Sequence, residues 1–359
     1  MNRRQFLAAA AAGTIAGVSA RARAAARQLI TVTGPMDGEA AGLMLPHEHV
    51  LVSLSVPGPY DAESSGLPAQ YRYDRDEVIR VALPHVRAAM AAGVRTMAEA
   101  TPAYLGRDPV LLKRLSEVSG LRILTNTGYY GAREDQHLPP HARTGTAGDL
   151  AAHWTREFRE GIGGTGIRPG FIKIGVDAGR LSAMDAKLVR AAARTHRATG
   201  LTIACHTGPA AAARDTLAVL EEEGVAPDAW IWVHAQAESD PEAHAELARR
   251  GAWVEFDGVG DDTIEQHVTL VVDMRRRGHL DRVLISHDAG WYRIGEPGGG
   301  EFRGYTRLVT DLLPALRRAG LSDEEVRQLT VVNPASAYGV RPRGPDAAGI
   351  QQSGAFARQ

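Results

Sequence analysis

From Leu43 onward the chain alternates eight times between a short apolar run and a longer segment with apolar residues at helical spacing, a rhythm that limits the fold more than any single motif. The runs span 43–49, 94–99, 121–127, 170–176, 201–206, 229–235, 252–257 and 282–288. Each is apolar almost throughout, the pattern of a parallel strand buried on both faces. The segments 74–92, 108–119, 147–161, 184–199, 210–223, 241–250 and 263–277 repeat apolar residues three and four apart, several behind an Asp or Ser start, and 303–319 follows the last run. Eight β–α units with right-handed crossovers predict an α/β protein built as a (β/α)8 TIM barrel. An open doubly wound sheet would give a similar string, so the placement of chemistry-bearing residues has to decide.

No repeat of fixed period and no linker interrupts this alternation, so 25–340 reads as one domain. The remainder, 341–359, is rich in Gly, Pro and polar residues without periodicity and reads as a disordered tail. At the other end, NRRQFL, a small-residue apolar stretch to Ala20 and the sequence ARARA give 1–24 the form of a twin-arginine signal peptide, which predicts a periplasmic or secreted protein. That stretch is too short and alanine-rich to span a membrane. With 41 basic against 42 acidic residues and no basic run interleaved with aromatics, nucleic acid and anionic membranes are excluded as partners. A single cysteine, Cys205, excludes an internal disulfide, thiol exchange and Cys-rich zinc sites. The partner is then a small molecule, met by the long loops 51–73, 128–146 and 289–302 that follow the first, third and eighth runs.

Metal-ligating residue types stand where these runs end. PHEHV closes the first, and residues two apart on a strand share a face, so His47 and His49 point together into a barrel. Such a pair alone fits two core histidines as well as a metal. Three more donors come in register: His206 in TIACHTG, His234 in IWVHAQ and Asp288 in VLISHD, while Lys173 sits inside FIKIGVD on the fourth run. The other nine of thirteen histidines, His287 included, read as structural. Four imidazoles and a carboxylate exceed what one tetrahedral ion with an open position needs, so two divalent ions are indicated. Lys173 is costly as a bare ammonium beside cations. Reaction of its amine with carbon dioxide would give an anionic carbamate able to bridge both ions. A mononuclear deaminase would share the His and Asp set but has no need of Lys173.

These motifs, together with GRDPVLLKRLSEVSGLRIL and TVVNPA, occur in the order of the phosphotriesterase-like branch of the amidohydrolase superfamily, which the chain resembles over about residues 40–340. The resemblance implies a binuclear metallohydrolase in which His47, His49 and Asp288 hold the buried ion, His206 and His234 the more exposed one, and N6-carboxylated Lys173 bridges them. It implies zinc first, with manganese, cobalt or nickel also admitted by the donor set. Hydroxide supplied between two ions would attack the substrate, with Asp288 accepting its proton. A homodimer is also suggested by the resemblance.

Lactones and phosphotriesters are the main substrates of that family. Tyr130 in TNTGYYGA matches the tyrosine that lactonase members place beside the metals, with Tyr129 as the alternative register. Against this, Gly258 stands where lactonases have Arg and phosphotriesterases His, and Ala237 replaces a common acidic residue, so a proton relay through those positions is absent. Trp291 and Tyr292 offer apolar walls, and Arg293 or Arg303 could meet a charge. The expectation is a lactone or related carboxylic ester hydrolase with phosphotriester hydrolysis as a secondary activity. Phosphotriester, amide or sugar-lactone hydrolysis within the family is the alternative, and a non-catalytic periplasmic binding protein is the alternative of another class. GIGGTG at 161–166 precedes a strand and does not follow one into a helix, so it lacks the setting of a dinucleotide site; a GxSxG nucleophile elbow is missing altogether.

Overall fold

The computed structural model describes residues 28–54 and 73–340. The expected signal peptide and tail lie outside the described residues. Eight parallel strands form the barrel: β1 Leu43–Glu48, β2 Val94–Glu99, β3 in two pieces, Arg122–Leu124 and Asn126–Thr127, β4 Phe171–Gly175, β5 Ile203–His206, β6 Trp230–Val233, β7 Trp253–Phe256 and β8 Val283–Ile285. Each pairs with the next in order, β3 using its first piece for β2 and its second for β4. Between them run α1 Arg75–Ala91, α2 Pro109–Ser119, α3 Ala147–Glu160, α4 Ala183–Thr199, α5 Ala210–Glu222, α6 Pro241–Arg250, α7 Ile264–Arg276 and α8 Leu313–Arg318. The Asp and Ser starts act as caps: Asp108 accepts from the amides of Val110 and Leu111, and Ser182 and Asp185 form a reciprocal capping box.

What separates a barrel from an open sheet is whether β8 meets β1, and here it does. The Asp288 N–H donates to the His47 carbonyl (3.1 Å) and the His49 N–H to the Ala289 carbonyl (2.9 Å). Beneath them the fully buried Glu48 carboxylate accepts from Ser286 Oγ (2.8 Å), the His287 N–H (3.1 Å), His287 Nδ1 (2.6 Å) and the Ala289 N–H (3.0 Å). His287 therefore closes the barrel and stays out of the mouth.

Strand faces alternate as the apolar runs require. On β4, Ile172 and Ile174 pack outward against helices while Phe171 faces the barrel axis; on β6, Trp230 and Trp232 go outward and Ile231 and Val233 inward. At the base, a hairpin of Gln28–Thr31 with Gly34–Asp37 and a final helical turn Asn333–Tyr338 plug the opening. The Tyr338 hydroxyl donates to the Pro46 carbonyl (2.6 Å), its ring meets Phe171 edge-on at 5.1 Å, and the Asn333 amide donates to the carbonyls of Leu280 and Val283. These elements are too short to carry a period in the sequence.

One expected helix starts late. The helix expected over 303–319 begins near Arg307, with a widened turn at Leu308–Leu312 before α8. Arg303 and Gly290 exchange backbone hydrogen bonds (3.0 and 2.9 Å), an extended pairing that excludes helix at 303.

Candidate metal centre

The donors converge through a local irregularity. Between Leu45 and Glu48, β1 carries one residue more than β2 does between Met97 and Glu99, a bulge that flips side-chain parity. Met44 faces inward low in the barrel, and after the bulge His47 faces inward too, followed by His49. His234, the first residue beyond β6, and Asp288, three residues past β8, take left-handed backbone (φ 61° and 52°), which for non-glycine residues costs about 1 kcal/mol or more each. Gly290 has φ +95°, and a Cβ there would lie 1.9 Å from the His49 carbonyl, so only glycine admits the eighth loop this close to β1.

His47, His49, Lys173, His206, His234 and Asp288 line one cavity of about 70 Å³ whose remaining wall includes Val52, Leu54, Leu105, Tyr130 and Trp291. His47, His49 and Lys173 are buried, while His206, His234 and Asp288 are partly exposed. His47, His49 and Asp288 bring ligand atoms within 4.8 Å of one another, as do His47, His234 and Asp257.

The donor set fits metal ions. Three rings have Nδ1 engaged, His47 by Glu255 (3.2 Å) and Asp257 (3.0 Å), His49 by Thr101 Oγ1 (2.7 Å) and His234 by Asp257 Oδ1 (2.7 Å). This leaves Nε2 of each free to ligate a metal, the arrangement by which partners behind a metal-binding histidine fix its tautomer. Asp288 Oδ1 is buried with no hydrogen-bond partner, yet lies 2.9 Å from His49 Nε2. That spacing is close to the about 3 Å expected between two ligands at right angles on one ion with bonds near 2.1 Å. Lys173 Nζ stands 3.4 Å from His47 Nε2.

Charges follow from burial and these partners. Burial pushes the Lys173 amine below its ordinary range, against the pull of Glu255, Asp257 and Asp288. Burial likewise lowers His49 and His206, the latter strongly and with help from His234 and Lys173. Burial and Lys173 also press on His47, but Asp257 and Glu255 outweigh them and draw it up to about 10. Asp257 resists burial because His234 and His47 hold its carboxyl well below the usual range. Burial thus favours the neutral forms of His49, His206 and the Lys173 amine, whereas the carboxylates of Asp257 and Glu255 favour positive charge on His47.

The two candidate tyrosines separate cleanly. Tyr130 OH lies 3.2 Å from His206 Nε2 inside the cavity, whereas Tyr129 is buried outside it, bonded to His141 Nε2 (2.9 Å) and edge-on to Trp154. Gly175 makes this possible, since a Cβ there would come within 2.6 Å of the Tyr130 ring. Trp291 lines the cavity with its ring 5.4 Å from His49. Tyr292 does not: neighbours along an extended segment point opposite ways, and Tyr292, paired with Leu51, is buried against Gly299 behind the wall.

Sequence reasoning missed the layer behind the ligands. Glu99 accepts from Thr101 Oγ1 (2.6 Å), which in turn meets His49; Glu255 and Asp257 support His47; Gln236 donates to Asp257 (2.8 Å). The Gln236 amide fills the space above Gly258, 3.0 Å from where a Cβ would stand, so the position without a side chain is occupied by its neighbour. Acidic residues inside apolar runs, Glu48, Glu99 and Glu255, were the available signal. The GIGGTG loop lines a separate outer cavity of about 460 Å³ beside Arg107 and Tyr129, away from the metal-ligating residues.

The phosphotriesterase family model matches residues 27–338. A phosphotriesterase homology protein of Escherichia coli is 29% identical over 307 residues, covering 84% of this chain and all of that one. The aryldialkylphosphatase of Saccharolobus solfataricus is 25% identical over 273 residues, 73% of this chain and 86% of its own. A variant of a Deinococcus radiodurans PTE-like lactonase superposes with a TM-score of 0.77 at 31% identity, covering 87% of this chain and all of the lactonase. The binding-protein alternative finds no support among them.

Proposed function

The chain belongs to the phosphotriesterase family of metal-dependent hydrolases, and from that premise we propose that it cleaves a lactone or related carboxylic ester, with phosphotriester hydrolysis as a secondary activity. Carrying this reading is the Tyr130 hydroxyl, set 3.2 Å from His206 Nε2 within the ligand cavity as the lactonase resemblance requires. In the proposed site His47, His49 and Asp288 would hold an inner ion and His206 and His234 an outer one, with Lys173, once carboxylated, supplying an anionic ligand. Burial lowers the Lys173 amine and so favours the uncharged form, the one able to attack carbon dioxide.

Bound divalent ions, zinc first, would supply a nucleophile at neutral pH and polarise the scissile carbonyl. The chain's own groups do the rest. Asp288 is ionised, because His49 and His47 hold its carboxyl down despite burial, and its carboxylate would accept the proton of the attacking water. Burial raises Tyr130 above its ordinary range, so the hydroxyl stays protonated and donates to the ester oxygen. Trp291 and Leu105 give the cavity apolar lining.

Initial rates on a panel of lactones, aryl esters and phosphotriesters, with bound metal measured alongside, test this reading. A lactone is expected to turn over fastest, and Lys173→Ala to lose both metal and at least about a thousandfold in rate. Retention of metal and rate by that variant would end the carbamate bridge; faster turnover of a phosphotriester than of every lactone would reverse the substrate order. We further propose export by the twin-arginine route, so that the metal is acquired before translocation; Arg3→Lys with Arg4→Lys should hold the protein in the cytoplasm, and unchanged export would refute it.

A further inference from the structure

We propose that the mouth of this site is an anion subsite in which Arg133 and Arg303 hold a carboxylate, or a similarly compact anion, at the end of the substrate remote from the scissile bond. The inference rests on the ester-hydrolase reading above and narrows it to substrates with an anionic tail.

A cavity of about 70 Å³ takes the reacting group and little else, against the several hundred Å³ of a pocket that swallows a whole ligand. Most of the substrate must therefore lie at the rim. Among the arginines of the loops there, Arg107 is committed to Glu157 and Arg293 to Glu296. Arg133 and Arg303 have no carboxylate partner among the described residues. Each is exposed, and each spends one N–H on the carbonyl of a cavity-lining residue: Arg133 Nη1 on Leu54 (3.4 Å), Arg303 Nη2 on Asp288. Arg303 also lies over the Trp291 ring, 5.9 Å from its centroid. A guanidinium held by one nitrogen keeps its other donors for an anion.

Neither arginine hangs on ordinary loop backbone. Arg133, Glu134 and Asp135 form three consecutive left-handed residues (φ 64°, 59° and 61°), a turn pinned by Asp177, which accepts the Arg133 N–H (2.7 Å) and the Glu134 N–H (3.1 Å). Both oxygens of Asp177 are thereby used on amides. On the eighth loop, the residues that Arg303 contacts, Asp288 and Trp291, are themselves left-handed (φ 52° and 76°). Strain of this kind persists where surrounding structure fixes a group for a purpose. Among the described residues Asp288 is the only acid lining the cavity.

The test compares matched pairs of esters that differ only in a terminal carboxylate or its primary amide. The wild-type protein is expected to favour the carboxylate about tenfold or more in kcat/KM, chiefly through KM, with the preference shrinking at high salt. Arg133→Gln and Arg303→Gln should each cut that ratio roughly three- to tenfold, and Arg303→Lys should retain most of it. Because Arg303 also braces the Asp288 carbonyl, Arg133→Gln is the cleaner variant. A wild-type ratio near or below one, or a ratio untouched in both Gln variants, overturns the subsite. Calorimetric binding of the matching carboxylate and amide reaction products separates the two readings: charge-selective binding without turnover of any ester removes the ester chemistry and keeps the subsite, whereas turnover without charge preference does the reverse.

Discussion

The two ends of this barrel are built by opposite rules. At the base, Phe171, Met44, Leu284 and the Tyr338 ring pack as an apolar plug, and the polar groups that must enter it are partnered, Tyr338 with Pro46 and Asn333 with Leu280 and Val283. At the mouth, all seven non-glycine residues with left-handed backbone among the described residues are gathered: Tyr104, Arg133, Glu134, Asp135, His234, Asp288 and Trp291. The mouth also holds buried polar atoms without partners, Asp288 Oδ1 and both nitrogens of His137, with Glu255 Oε1 just below. The base spends its contacts on stability, while the mouth keeps strain and unpaired groups that only a ligand or metal would repay.

The largest expected break in that contrast comes from Asp257. Its carboxylate orients His47 and His234 together. Asp257→Ala should weaken metal binding about 10- to 100-fold, the usual cost of removing a partner behind a ligating histidine. Competition with a chromogenic chelator would measure it. Unchanged affinity would mean the two rings are held by packing alone, as at the base.

The base predicts the opposite split. Tyr338→Phe removes a buried hydroxyl and leaves the Pro46 carbonyl unpaired, so stability should fall by about 1–2 kcal/mol in denaturant unfolding with kcat and bound metal unchanged. A loss of activity equal to the loss of stability would show that the ends are not separable. His47 is the neighbour of Pro46, which makes this a demanding test.

How much could be read from the chain beforehand follows the same division. Strands and helices were legible because burial on both faces of β4 or β6 writes an unbroken apolar run, and the helices write a period; the residues that meet in the cavity were legible because His and Asp at the ends of such runs have few other reasons to be there. The bulge that turns His47 inward was not, since parity alone would put His47 opposite Met44. Nor was Tyr130 separable from Tyr129, which needed the close approach at Gly175, or Gln236 as the group filling the space at Gly258. The unpaired Arg133 and Arg303 are likewise invisible in sequence, because what distinguishes them from Arg293 is a carboxylate partner that only the folded loop supplies. The short base elements failed for length: four residues cannot show a period.

The smallest effect comes from His137, and it tests whether the mouth's unpaired groups truly cost stability. The residue is 2% exposed, neither ring nitrogen has a partner, and its ring stands 6.1 Å from that of Tyr130. Burial, then the charge of Arg133, lowers it from 6.5 to about 4. A histidine lowered in the folded state is protonated first in the unfolded chain, so between pH 6.5 and 4 the unfolded chain binds more protons and stability falls as the solution is acidified. The group should cost about 1–2 kcal/mol between pH 7 and 5. His137→Leu removes both the titration and the unpaired nitrogens, so the variant should match or exceed wild type in stability at pH 5 and lose less between pH 7 and 5. Other histidines lowered by burial, His244 and His267 among them, keep part of the acid sensitivity in either protein, which is why the difference between the two slopes is the quantity to read. Parallel slopes would mean that water satisfies His137 in the folded state, and the mouth would then be less costly than its geometry implies.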